Sequence, residues 1–175
     1  HRRLVGSEMC IRDRSCKTIV ESELTKNDFN IYGWRQVPVN PKVLGEKAFQ
    51  TMPEIIQVLF KSHNKELTNK DLERKIYETR RKIENEAFKK SLNNFYICSL
   101  SSKSIIYKGM FLAEAISEFY LDLNDERFVS RYAIFHQRFS TNTAPSWNLA
   151  QPFRAIAHNG EINTYRGNKN WMKVH

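Results

Sequence analysis

Residues 128–163, FVSRYAIFHQRFSTNTAPSWNLAQPFRAIAHNGEIN, decide how this chain is read. Two apolar, β-like runs, Phe128 to Phe139 and Phe153 to His158, each lead into a polar corner. The first corner sets Arg138 beside Ser140, Thr141 and Asn142; the second is Asn159-Gly160-Glu161. A guanidinium presents rigid paired donors that match a carboxylate, and it keeps its charge at any working pH. At the end of a strand, with hydroxyl and amide groups beside it, Arg138 can seize the α-carboxylate of an amino acid. The Asn159 amide and the Gly160 backbone N–H can converge on one oxygen, because glycine lets the main chain approach a ligand closely. One such donor aimed at a tetrahedral intermediate contributes about 2.7–4 kcal/mol. Each feature also has a plainer meaning, since single arginines usually form ordinary ion pairs and Asn-Gly is a favoured hairpin turn. His136 and His158 have no further His or Cys to complete a ligand set, so structural roles are expected and no metal site. Nothing in the sequence desolvates or pairs Glu161.

Working upstream, Cys16 to Leu24 carries Ile19, Val20 and Leu24 on one helical face, with an end expected near Asn27-Asp28. Phe29 to Val39 is β-like and is closed by Pro38 and Pro41, and Glu54 to Phe60 fits a buried strand. Asp71 to Leu92 reads as a charged strand or helix, with helix favoured after Arg80 by Ile83, Ala87 and Phe88. Phe95 to Leu100 and Ser104 to Lys108 flank Ser101-Ser102-Lys103 as a hairpin candidate. Leu112, Ile116 and Phe119 predict a helix over 111–120, broken by Asp122 to Asp125. A last helix is expected near Asn170-Trp171. Strands mixed with helices, in adjacent antiparallel pairs, point to an α+β or layered α/β domain.

The 175 residues suit one domain, and 41% hydrophobic content allows a sizeable core. Net charge is +9, from 28 Lys and Arg against 19 Asp and Glu. Much of the excess sits in residues 61–90, where ten basic and six acidic side chains interleave at helical spacing, the pattern of a solvated helix face. A nucleic-acid-binding face is the competing reading, but only Tyr77 and Phe88 are available there as stacking aromatics. Cys10, Cys16 and Cys98 lack metal-ligand spacing, and an odd count fits a reducing compartment. No membrane-spanning run is present, so a cytoplasmic or plastid-stromal location is expected. Residues 1–14, HRRLVGSEMCIRDR, have no helical or strand period and look like translated adapter or vector sequence. They are set aside from fold reasoning, leaving 15–175 as the domain and placing the native start further upstream.

Residues 136–172, together with GWRQVPVN at 33–40 and FYICSLSSKSIIYKGM at 95–110, resemble the class II glutamine amidotransferase domain of the glutamate synthase family. The resemblance runs over roughly 16–175 with its motifs in order. It implies an N-terminal-nucleophile hydrolase fold, a four-layer α-β-β-α sandwich, incomplete in this chain. An N-terminal cysteine attacks the glutamine side-chain amide, using its own α-amine as base. Ammonia then passes through a tunnel to a flavin domain that converts 2-oxoglutarate to glutamate. Carried over to this sequence, Arg138 binds the glutamine carboxylate, Thr141 and Asn142 belong to the same substrate loop, and Asn159 and Gly160 form the oxyanion hole. None of the three cysteines matches the Cys-Gly nucleophile, and the acid that holds the glutamine amino group is expected beyond His175. The chain therefore reads as an interior piece, inactive alone, with no cofactor of its own. FMN and an iron–sulfur cluster are implied for the full-length enzyme. The implied partners are glutamine, the flavin and iron–sulfur region, and an electron donor that is either an NAD(P)H-linked subunit or ferredoxin. Neither nucleic acid nor a membrane is expected as a partner. Class II amidotransferases with other acceptors remain the nearest alternative.

Overall fold

Leu72, Ile76, Thr79, Ile83 and Ala87 recur every three or four residues, which puts them on one stripe of α3 (Asn69–Lys89), all buried. Thr68 caps the helix by accepting from the Asp71 N–H at 3.2 Å. At the other end Ser91 takes a positive φ of 56°, and the Leu92 and Ser91 N–H groups bond back to Ala87 O and Phe88 O. That six-to-one and five-to-two pairing stops the helix and satisfies its last carbonyls. The interleaved charges lie along the helix as pairs: Arg80 with Glu84 at 2.7 Å, Lys89 with Glu86 at 2.6 Å, and Lys75 reaching Asp28 at 2.9 Å.

The structure, a computed structural model, describes residues 2–6, 10–138, 144–151 and 165–174, with side chains from residue 14 onward. Four strands form one antiparallel sheet: β1 (Arg2–Gly6), β2 (Phe29–Gln36), β3 (Ile56–Ser62) and β4 (Ile97–Ser101), in the order β2-β3-β1-β4. α1 (Cys10–Lys26) and α3 cover one face, where Ile19 and Leu24 meet Phe29, Val58 and Phe60. Phe29 and Phe60 pack edge to face at 5.1 Å.

Two bulges decide which side chains face the helices. Ile31 pairs with Phe60 but Gly33 with Leu59, so β2 carries one extra residue at Tyr32. The extra residue shifts the pleat by one. Trp34 thereby packs with the helix-side core, while Arg35, opposite Gln57, turns to the other face. In β4 the register against β1 jumps from Ile97 to Ser99. Ile97 and Leu100, an odd number apart, both reach the helical core, and Cys98 turns away from it. Arg80 donates to Ile97 O at 2.8 Å and ties α3 to this irregular point.

On the opposite face Cys98 packs against a second apolar cluster built on Val37, Ile55, Phe119, Tyr120 and Trp147. A bridge between Val39 and Tyr120 joins it to the strand end. α2 (Glu46–Gln50) contributes Ala48, and α4 (Ile116–Phe119) contributes Phe119. α5 (Tyr165–Val174) has no buried residue.

Several expectations need correction. Within the segment set aside from fold reasoning, Arg2–Gly6 forms an interior strand of the sheet and Cys10 opens α1. Five residues with no clear alternation are held there by ladders on both sides. The hairpin is not formed, because β4 pairs with β1 and Ser104 to Lys108 is not a strand. Glu73 holds the intended turn instead, accepting from Ser101 Oγ at 2.7 Å, from the Ser102 N–H at 2.6 Å and from the Ser102 hydroxyl. The helix expected over 111–120 shrinks to a 3-10 turn at Ala113–Ala115 followed by the single turn of α4. Residues 128–138 form no strand and are mostly exposed. The run Phe153 to His158 lies outside the described residues.

Ile83→Ala empties a wholly buried position and is expected to destabilise the 175-residue chain by about 2–5 kcal/mol. Phe88→Ala, at a side chain 81% exposed on the same helix, should change it by less than about 0.5 kcal/mol. Urea denaturation of the two variants measures the contrast. Glu73 gives a pH test. Burial works against its carboxylate, but the donors from Ser102 and Ser101 outweigh burial and hold its pKa below the ordinary glutamate value. A lowered folded pKa means the contribution is full above about pH 4.3 and is lost as pH falls through the folded value. Glu73→Gln should therefore be less stable than the wild type at neutral pH, and the gap should close on acidification.

Candidate functional site

The second apolar cluster closes the back of a cleft of about 280 Å³. One wall is Ile105 to Gly109 with Phe111 and Ile116; another is Ile134 to Arg138; Ala150 and Gln151 complete it. Arg138 lines this cleft with its side chain exposed, a position from which a guanidinium can meet an incoming carboxylate. His136 lines it too and is also exposed. Thr141, Asn142, Asn159 and Gly160, like His158 and Glu161, lie outside the described residues. Of the five residues assigned to substrate or oxyanion, Arg138 is the one the structure places.

Lys108 and Trp147 carry the geometry that sequence reasoning missed. The Lys108 side chain is buried, donates from Nζ to Asn148 O at 2.8 Å and stands over the Tyr96 ring at 5.2 Å. Burial, with Arg80 adding to it, lowers its pKa from the ordinary lysine value. Tyr120, whose hydroxyl pKa burial raises, donates to Lys108 O at 2.7 Å and so fixes the main chain at that point. Trp147 is buried against Phe111 and Phe119 and donates from Nε1 to Ala48 O at 3.0 Å. Gly109 leaves the room for it: a Cβ there would stand 2.7 Å from Trp147 Cζ3 and collide with Phe111 as well. The Tyr107-Lys-Gly-Met110 run was legible as a motif. Its lysine gave no sign that it was buried, because that depends on the distant residues 147–148 folding over it.

Beneath the cleft, Tyr107 donates to Asp122 at 3.1 Å, and Arg35 bridges Asp122 to Gln57 Oε1. This polar chain joins the wall of the cleft to the sheet. Cys16 and Cys98 are no candidates for a thiolate. Cys16 is buried inside α1, and burial pushes the Cys98 thiol up to about 11. Among the described residues no three His, Cys, Asp or Glu side chains gather to hold a metal. No helix among them is long and apolar enough to cross a membrane.

The family model for class-II glutamine amidotransferases matches residues 5–175, and the chain belongs to that family. Over 161 residues it is 56% identical to the glutamate synthase (NADPH) large chain of Azospirillum brasilense, covering 92% of this chain and 11% of that protein. It is 46% identical over 161 residues to ferredoxin-dependent glutamate synthase 1, chloroplastic/mitochondrial, of Arabidopsis thaliana, covering 91% and 10%. With the chloroplastic ferredoxin-dependent enzyme of Oryza sativa subsp. japonica, identity is 47% over 158 residues, covering 90% and 10%. The chain thus spans about a tenth of the length of these curated relatives.

Gly109→Ala is expected to force Trp147 and Phe111 apart and to destabilise the chain by about 1–3 kcal/mol. Thermal unfolding, with Gly45→Ala as a control at a position where an added Cβ meets nothing within 4 Å, measures it.

Proposed function

We propose that this chain is part of the glutaminase domain of a glutamate synthase. The observation that carries the reading is identity over nine-tenths of the chain to glutamate synthases of a bacterium and of plants. The position of Arg138 on the cleft supports the substrate assignment. On this reading Arg138 pairs with the α-carboxylate of glutamine, with Thr141 and Asn142 completing the pocket. A thiolate adds to the side-chain amide carbon. The oxygen becomes an oxyanion held by the Asn159 amide and the Gly160 N–H. The C–N bond then breaks, ammonia leaves with the proton passed through an α-amine, and water hydrolyses the thioester to glutamate.

The nucleophile requires a cysteine with a free α-amine. Cys10, Cys16 and Cys98 lie within α1 and β4 with their nitrogens in peptide bonds, so on this reading none of them is the nucleophile. An iron–sulfur cluster is normally held by four cysteines, and the three here do not fit one. On this reading the cluster and the FMN belong to other regions of the longer polypeptide. There ammonia meets 2-oxoglutarate, and a ferredoxin or an NAD(P)H-linked subunit supplies electrons. The finer fold is the four-layer sandwich. Exposed, β-prone Val129, Tyr132 and Phe135 in an extended run support it, because they need a second sheet to enter. The compartment proposed is the cytoplasm, or the plastid stroma in a photosynthetic eukaryote.

The test is glutaminase activity of the full-length polypeptide that carries this domain. Arg138→Ala is expected to raise KM for glutamine by at least about 30-fold, the loss of one partner of a charge pair that bound glutamine covers. Asn159→Ala should lower kcat by about 10²–10³-fold. Wild-type kinetics in both variants would show that the two motifs are structural turns.

A further inference from the structure

We propose that Lys108 is a positioning residue for glutamine cleavage: its ammonium pins the main chain at Asn148, midway along the connector between the Arg138 motif and the Asn159-Gly160 corner. The inference rests on the glutaminase reading above and adds a residue to it. Lysine is almost never fully buried unless it is paired, and Lys108 is only 7% exposed. Its Nζ–H donates to Asn148 O at 2.8 Å, a charge-assisted bond to a main-chain acceptor. The lysine is itself fixed, because Tyr120 holds its carbonyl at 2.7 Å and Tyr96 offers its ring face to the ammonium.

The residue before Asn148 is anchored separately. Trp147 is buried, and its indole N–H reaches Ala48 O at 3.0 Å. Two independent ties therefore hold consecutive residues of the connector to the rigid cluster. Two and three residues further on, Ala150 and Gln151 line the same cleft as Lys108 and Arg138. The pin thus sets how far the connector stands from the arginine. Removing the ammonium while keeping the side-chain volume would leave Asn148 O without this donor and let the connector move.

Lys108→Met and Lys108→Arg in the full-length polypeptide test this with two readouts, glutamine kinetics and amide hydrogen exchange of residues 146–151. Lys108→Met is expected to raise KM for glutamine at least tenfold and to speed exchange at Leu149 and Ala150, whose N–H groups close the turn at Ser146 and Trp147. Lys108→Arg should keep both within about threefold, roughly 0.65 kcal/mol at 1.4 kcal/mol per decade. A lysine that merely fills the core would lower kcat through loss of folded enzyme and leave KM unchanged. Unchanged KM, or unchanged exchange over 146–151 in Lys108→Met, overturns the proposal. A wild-type polypeptide that hydrolyses no glutamine would instead overturn the glutaminase reading, while the exchange measurement still decides whether the pin exists.

Discussion

Burial of β3 on both faces is the constraint on which the rest of the structure depends. Val58 and Phe60 point to α1 and α3, while Gln57, wholly buried, points the other way. A strand covered on one side needs only helices; a strand covered on both needs a second layer of chain. Here that layer includes the segment from Ile105 to Phe111 and the neighbourhood of Trp147, held under the sheet by aromatic packing and by the Arg35–Asp122 link. The cleft forms along the outside of this layer. Its position is therefore a consequence of covering β3, and Arg138 lines it through packing that involves no reactive group.

Much of that arrangement was legible. Period-3.6 burial marks α3, alternation and prolines mark β2, and the apolar run marks β3. The two bulges were not, because an extra residue at Tyr32 or Cys98 changes which side chains face inward without changing the local composition. Arg35 shows the effect: one register shift takes it from the helical face to the polar chain beneath the cleft. Ser104 to Lys108 and residues 128–138 have strand-like composition but no ladder among the described residues. β propensity measures fit to a pleated, half-buried surface, so it registers the side chains and is silent about the partner strand. In the first run Ile106 N–H bonds to the Ser99 hydroxyl, and Ile105 and Tyr107 pack into the second cluster.

The site was legible as motifs and not as geometry. Arg138 stood out by its neighbours in sequence, and the structure places it on the cleft. Lys108 did not stand out, since a single lysine after a tyrosine is unremarkable until residue 148 closes over it. Lys75, Arg80, Arg81 and Lys89 are paired along or beside α3, as the interleaved spacing of a solvated helix face implies. Such exposed pairs contribute about 0–1 kcal/mol each, so they keep the helix solvated more than they hold it in place.

The central claim is that Arg138 and its cleft recognise glutamine through its α-carboxylate. The most direct measurement compares kcat/KM of the full-length polypeptide for L-glutamine and for its α-carboxamide, which keeps the reacting side-chain amide and removes the negative charge. The account predicts a loss of at least about 30-fold for the carboxamide, and much less discrimination between the two in Arg138→Ala. Equal turnover of both compounds by the wild-type protein would contradict it.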